Sequence, residues 1–169
     1  TAATMAAAAG SCTGCSGEAG MIEEGRKLAA IHPNVNVKLP MCIESLKATK
    51  VLAGERIAVN MTLIFTPQQA LLAAKAGARF ISPFVGRLDD IGQHGTDVLG
   101  DIIGIVENGC FDCEIIAASI RNPTHVSEAA LMGCDIATIP YDVLKMMVSH
   151  PKTHEGIAKF ASDYAKIKK

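Results

Sequence analysis

Tryptophan is absent from this chain of 169 residues, and aromatic residues make up only 4% of it. Stacking platforms for bases or sugars are therefore not expected. Neither sign of charge dominates: 16 Lys and Arg stand against 17 Asp and Glu, for a formal net charge of −1. That balance excludes the basic footprint that nucleic acid or an anionic membrane surface requires. No apolar run reaches the roughly 18 residues of a membrane span. The stretch Thr1 to Cys12 carries no charge and is largely alanine, so it lacks the basic and leucine-rich regions of a secretory signal. A cytoplasmic location is expected. The chain opens on Thr rather than Met, as a processed, partial or incompletely determined sequence does.

Six cysteines occur without secretory features, so disulfides are not the default. Cys12 with Cys15, and Cys110 with Cys113, have the Cys-x-x-Cys spacing of half a zinc site. The long stretch between the pairs and the lack of a glycine-rich knuckle favour free thiols over a metal.

What is abundant is apolar: 49% of the residues are hydrophobic, mostly Ala, Ile, Val and Leu, which suits helices packed on a sheet. After an Ala/Ser/Gly-rich segment over 1–17, residues 18–169 alternate between two periodicities. The spacing predicts helices over 18–31, 43–52, 97–108, 143–148 and 154–167, with strands at 35–39, 57–63, 79–84, 114–119 and 135–139. Thr66-Pro67-Gln68-Gln69 and Asn122-Pro123 read as capped helix starts, and Gly77 and Gly133 as stops. The segment from Ala73 to Ile81 matches that from Ala129 to Ala137, a repeated helix end, Gly stop and buried strand. Five strands separated by helices imply a parallel sheet with right-handed crossovers, either doubly wound or a (β/α)8 barrel. Gly86 to Thr96 reads as a polar loop, with Gly86, Gly92 and Gly95 as hinges for closure over a ligand. Its Asp89, Asp90 and His94 resemble metal ligands but are expected to be merely solvated.

Chemistry concentrates where such strands end, the ligand-binding edge of parallel α/β proteins. Alternation puts Asn36 and Lys38 on one face, and Asn60 and Thr62 on one face of the next strand. Ser82 and Phe84 share a face of the third with Arg87 just beyond, and Ala117, Ser119 and Arg121 share one of the fourth. Each polar residue alone has an ordinary explanation; their coincidence at one edge does not. Desolvation and neighbouring cations favour a neutral amine, and a neutral lysine attacks ketones to form a Schiff base. Two arginines and a helix start at Asn122–Pro123 suit a phosphoryl group. The pattern reads as lysine-dependent aldol cleavage of a phosphorylated sugar.

These segments resemble a known family. Asn36-Val37-Lys38-Leu39-Pro40-Met41 is similar to the Schiff-base strand of the small bacterial- and archaeal-type transaldolases. Asn60 to Phe65, Ser82 to Asp90 and Ala117 to Asn122 resemble their later strand ends. The resemblance implies a (β/α)8 TIM barrel of the class I aldolase type. It also implies transfer of a dihydroxyacetone unit between sugar phosphates, as in the pentose phosphate pathway, without metal or organic cofactor. By the same resemblance Lys38 is the nucleophile, Asn60 and Thr62 position substrate and a catalytic water, and Arg87, Ser119 and Arg121 bind phosphate. Phe84 stands where the related fructose-6-phosphate aldolases usually carry Tyr, which favours transaldolase. Ring-shaped homo-oligomers, pentamers or decamers, are implied as well, with the C-terminal helix reaching a neighbour.

Two departures stand out. Cys42 and Ser45 replace the Thr and Gly usual after the lysine strand, and Cys caps weakly, so a loose helix start is expected. The five strands also match only the last five of eight. The first three, which in the family carry an Asp, an Asn and a carboxylate or Gln acid–base, cannot be assigned before Glu18. An incomplete or poorly determined N-terminus is the expected account of this shortfall. The alternative from another functional class is a non-catalytic remnant that binds sugar phosphate and pairs with another chain.

Overall fold

The computed structural model describes residues 4–7 and 17–167. Six strands form one all-parallel sheet, each beside its neighbour in sequence. They are β1 (Thr4–Ala7), β2 (Val35–Pro40), β3 (Val59–Ile64), β4 (Phe80–Pro83), β5 (Glu114–Ala117) and β6 (Ile136–Ala137). Helices α1 (Gly17–Ala29), α2 (Ile43–Gly54), α3 (Pro67–Ala76), α5 (Gly95–Asn108) and α6 (Pro123–Leu131) fill the crossovers. A short α4 (Val85–Asp89) precedes α5, and α7 (Tyr141–Val148) and α8 (Pro151–Ile167) follow the last strand. Sequential parallel strands with a helix in every crossover form an arc of a (β/α)8 barrel. Among the described residues the arc is open.

All five expected strands are present, and a sixth lies in the alanine-rich segment where none was expected. Thr4–Ala7 pairs in parallel register with Val35–Lys38. Alanine gives no alternation signal. Unpaired N–H and C=O groups along β2 supply the template instead.

The core lies between sheet and helices. Val37, Leu39, Met61 and Ile81 from the strands meet Ala48 and Leu52 of α2, Ala70 and Ala73 of α3, and Leu99 and Ile102 of α5, all fully buried. Helix α1 comes so close that a Cβ on Gly25 would press into Leu52.

Three helices begin directly after strands, and each start is capped as local chemistry directs. Thr66 Oγ1 accepts the Gln69 N–H at 3.2 Å, and Gln69 Oε1 accepts the Phe65 N–H at 2.8 Å. Gly77 ends that helix at φ +93°, a conformation that disfavours side chains. Asn122 Oδ1 accepts the His125 N–H at 3.0 Å. The loose start expected at Cys42 is not found: its Sγ accepts the Ser45 N–H at 3.4 Å, and the buried Ser45 hydroxyl lies 3.1 Å from the same sulfur. The small Ser45 side chain lets sulfur do the capping.

The segment read as a polar loop over Gly86–Thr96 is partly helical and well packed. Leu88 is buried in it, as is Val85 just before it. Two of its three proposed hinges are packing glycines: a Cβ on Gly86 would collide with the Ser119 carbonyl, and one on Gly95 with Val85. Only Gly92, at φ +78° with open space around it, has a hinge's freedom.

Candidate active site

Register converts alternation into a site. Lys38 lies beside Asn60, and Asn60 beside Phe80, so the strands turn one set of side chains away from the helices. That set surrounds a cavity of about 630 Å³ whose lining includes Lys38, Asn60, Ser82, Phe84 and Ser119. Lys38 is half-buried there, its stem between strands whose other face is core.

Asn60 is buried, and its Oδ1 accepts a 2.8 Å hydrogen bond from the Ser82 hydroxyl, itself buried. Ser82 is a cavity residue that the strand pattern placed on the Phe84 face without recognising. Alternation gives the face of a side chain, not its reach across to the next strand. Thr62 lies farther along β3 and is buried, but it does not line the cavity. Its Oγ1 has no hydrogen-bond partner among the described residues.

Two left-handed residues reshape the strand ends. Leu63 has φ +58° and Ser119 φ +59°, conformations that cost of order 1–3 kcal/mol outside glycine and that cluster at functional sites. At Leu63 the register of β3 against β4 shifts between Met61 and Ile64. At Ser119 the expected grouping of Ala117, Ser119 and Arg121 on one face fails. Strand β5 stops at Ala117, which is fully buried in the core; Ala118 bridges to Phe84, and Ala118 and Ser119 both line the cavity. The Ser119 carbonyl accepts the Gly86 N–H at 3.0 Å, which holds the turn.

The two arginines stand outside the lining of this cavity. Arg87, on α4, places its guanidinium 5.0 Å from the centre of the Phe84 ring, and Phe84 meets Phe65 edge-on at 5.8 Å. Phe84 thus connects the lysine cavity to Arg87. Arg121 pairs with Asp90 at 2.9 Å. The structure gathers Lys38, Asn60, Phe84 and Ser119, sets Thr62 behind them, and places Arg87 and Arg121 on the elements that continue from Phe84 and Ser119.

The metal-like residues have other employment. Asp89 accepts the Gly95 N–H at 2.9 Å and pairs with His125, while Asp90 holds Arg121. Among the described residues no three His, Cys, Asp or Glu side chains are grouped for a metal. Cys110 and Cys113 are free thiols. Burial, and secondarily the Asp135 carboxylate, push the Cys113 thiol up to about 11, the reverse of a reactive thiolate. The Cys12–Cys15 pair lies outside the described residues.

Fold and cavity define the class: a parallel β/α protein with a pocket on its sheet that a lysine helps to line, and left-handed residues at the strand ends. Comparison gives the family. Residues 15–169 match the model of Transaldolase/Fructose-6-phosphate aldolase, and the chain belongs to that family. A probable transaldolase of Desulfatibacillum aliphaticivorans is 55% identical over 149 residues, 88% of this chain and 70% of the relative. One of Agathobacter rectalis is 57% identical over 88% of this chain and 68% of its own. A third, of Geotalea uraniireducens, is 56% identical over 89% and 70%. Among solved structures, a mandelate oxidase mutant with an FMN adduct aligns over 70% of this chain and 43% of its own at TM-score 0.48 and 16% identity, too distant to bear on the chemistry. No helix of the described residues is long and apolar enough to cross a membrane.

Proposed function

We propose that this protein is a transaldolase that moves a dihydroxyacetone unit between sugar phosphates through a Schiff base on Lys38. The observation that carries the reading is that half-buried Lys38 lines one cavity with Asn60, Ser82, Phe84 and Ser119. The Lys38 nitrogen attacks the ketose carbonyl carbon, and loss of water leaves an iminium. The water held by Thr62 takes the proton of the hydroxyl on the carbon β to the iminium, the bond from that carbon to the α carbon breaks, and its electron pair passes to the iminium, releasing an aldose phosphate and leaving an enamine. The enamine attacks an acceptor aldehyde, and water then hydrolyses the iminium to free product and lysine. Lys38 is the nucleophile and Asn60 orients the substrate hydroxyls. Thr62 holds a catalytic water, which also satisfies a buried hydroxyl whose isolation costs about 1–3 kcal/mol.

The phosphoryl end is read as gripped by Ser119, Arg87 and Arg121, with Arg121 exchanging Asp90 for the ligand. Phe84 in place of a tyrosine favours transfer over release of free dihydroxyacetone by a fructose-6-phosphate aldolase. The reading places the protein in the cytoplasmic pentose phosphate pathway. It includes a homo-oligomeric ring, supported by α8, which buries none of its residues and exposes Ile157, Phe160, Tyr164 and Ile167. Molar mass by light scattering tests that assembly.

Borohydride trapping with fructose 6-phosphate tests the chemistry. The expected result is a covalent adduct mapped to Lys38, and dihydroxyacetone transfer that requires an acceptor aldose phosphate. A folded sample that forms no adduct overturns the reading. Turnover equally fast without an acceptor makes it an aldolase instead.

A further inference from the structure

The mechanism leaves one buried titratable side chain unused. His125 is 7% exposed and opens the first turn of α6. Its Nδ1 accepts the Arg121 backbone N–H at 3.4 Å, which leaves the ring proton on Nε2. Nε2 then donates to Asp89 Oδ2 at 2.7 Å. The other oxygen of Asp89 accepts the Gly95 N–H at the start of α5. One carboxylate therefore ties three segments together: α4, which carries Arg87; the start of α5; and the turn that carries Ser119 and Arg121.

Other contacts make the same join. Gly86 donates its N–H to the Ser119 carbonyl, and the approach is too close for any Cβ on Gly86. Asp90, next to Asp89, meets the Arg121 side chain. The imidazole is the buried member of this seam. An apolar residue at 125 would leave both an Asp89 oxygen and the Arg121 N–H without that partner.

We propose that Asp89 and His125 are positioning residues that fix the Ser119–Arg121 turn against the Arg87 helix, setting the spacing of the groups that grip a phosphoryl ligand. The pair touches no substrate, and it rests on the phosphate-binding reading given above. Its signature is selective: loss of the pair weakens recognition of the phosphate and leaves recognition of the sugar alone.

The test is an NMR titration of the full chain with fructose 6-phosphate and with fructose, on the wild type, His125→Phe and His125→Gln. The wild type is expected to prefer the phosphorylated sugar by about tenfold or more. In His125→Phe that preference falls about tenfold while fructose binds as before, since small displacements of positioning groups have large effects. His125→Gln, whose amide N–H reaches toward Asp89, restores most of it. A folded His125→Phe that keeps its preference overturns the proposal, as does a His125→Gln that loses as much as Phe. Should His125→Phe fail to fold, the nearly isosteric Asp89→Asn carries the test: lost preference supports the pair, and unchanged preference overturns it. A wild type without preference sinks the phosphate reading itself, and the pair with it. Preference kept in the wild type and the variants alike sinks the pair alone.

Discussion

Helices α5 and α8 carry similar amphipathic patterns and meet opposite fates. Helix α5 buries Leu99, Ile102, Ile103 and Val106 against the sheet. Helix α8 has an equally regular stripe, Ile157, Phe160, Ala161, Tyr164 and Ala165, and buries none of it. An apolar stripe specifies a helix with a face to hide; it does not specify which surface hides it. For α5 the surface is the sheet of its own chain. Among the described residues nothing buries the α8 stripe.

Removing the proposed nucleophile has the largest expected effect and touches neither helix. Lys38→Ala should reduce dihydroxyacetone transfer by about four orders of magnitude or more, with thermal unfolding almost unmoved because the side chain is only half-buried. A steady-state assay beside a melting curve checks both halves.

The helices themselves are separated by truncation. Leu99→Ala, at a fully buried position of α5, should cost about 2–5 kcal/mol in urea unfolding. Phe160→Ala, 75% exposed on α8, should change the unfolding of a single chain by less than about 0.5 kcal/mol. If the ring assembles through α8, the same substitution lowers the molar mass measured by light scattering. A large loss of monomer stability in Phe160→Ala would break the comparison.

Ser82→Ala removes the 2.8 Å hydrogen bond that the hydroxyl donates to the buried Asn60 carboxamide. A loss of about 0.5–1.5 kcal/mol is expected, together with a lower kcat from a less firmly held Asn60. A variant with wild-type stability and rate removes Ser82 from the site.

The smallest effect concerns Cys113, which packs at the margin of the α5 core. Its folded pKa is raised from 9.0 to about 11 by burial. The neutral thiol therefore stabilises the folded chain fully below about pH 9, and that contribution is lost as the pH rises toward 11. Cys113→Ala should flatten this part of the stability profile relative to wild type. Alkylation at pH 8 should label the exposed Cys110 before Cys113; faster labelling of Cys113 contradicts its burial.

Much of this molecule was legible from side-chain order. The strand cores of β2 to β5, the caps at Thr66 and Asn122, and the stop at Gly77 follow from local rules that need no partner. The placement of Lys38, Asn60 and Phe84 on a common face follows from the two-residue period of a strand. That period also misled at Ser119, because one left-handed residue reverses every face after it. The α4 helix was hidden because Gly86 and Gly95 look like hinges in sequence, whereas the backbones they admit are what packs them.

By itself, then, the order of residues determined the elements, their parallel sense and the edge at which the polar groups collect, because propensity, capping and periodicity act over a few residues. Tertiary structure alone decided that Thr4–Ala7 is a strand, that Ser82 reaches Asn60, and that Asp89 finds His125. Those outcomes depend on distances between segments far apart in the chain, which no local pattern encodes.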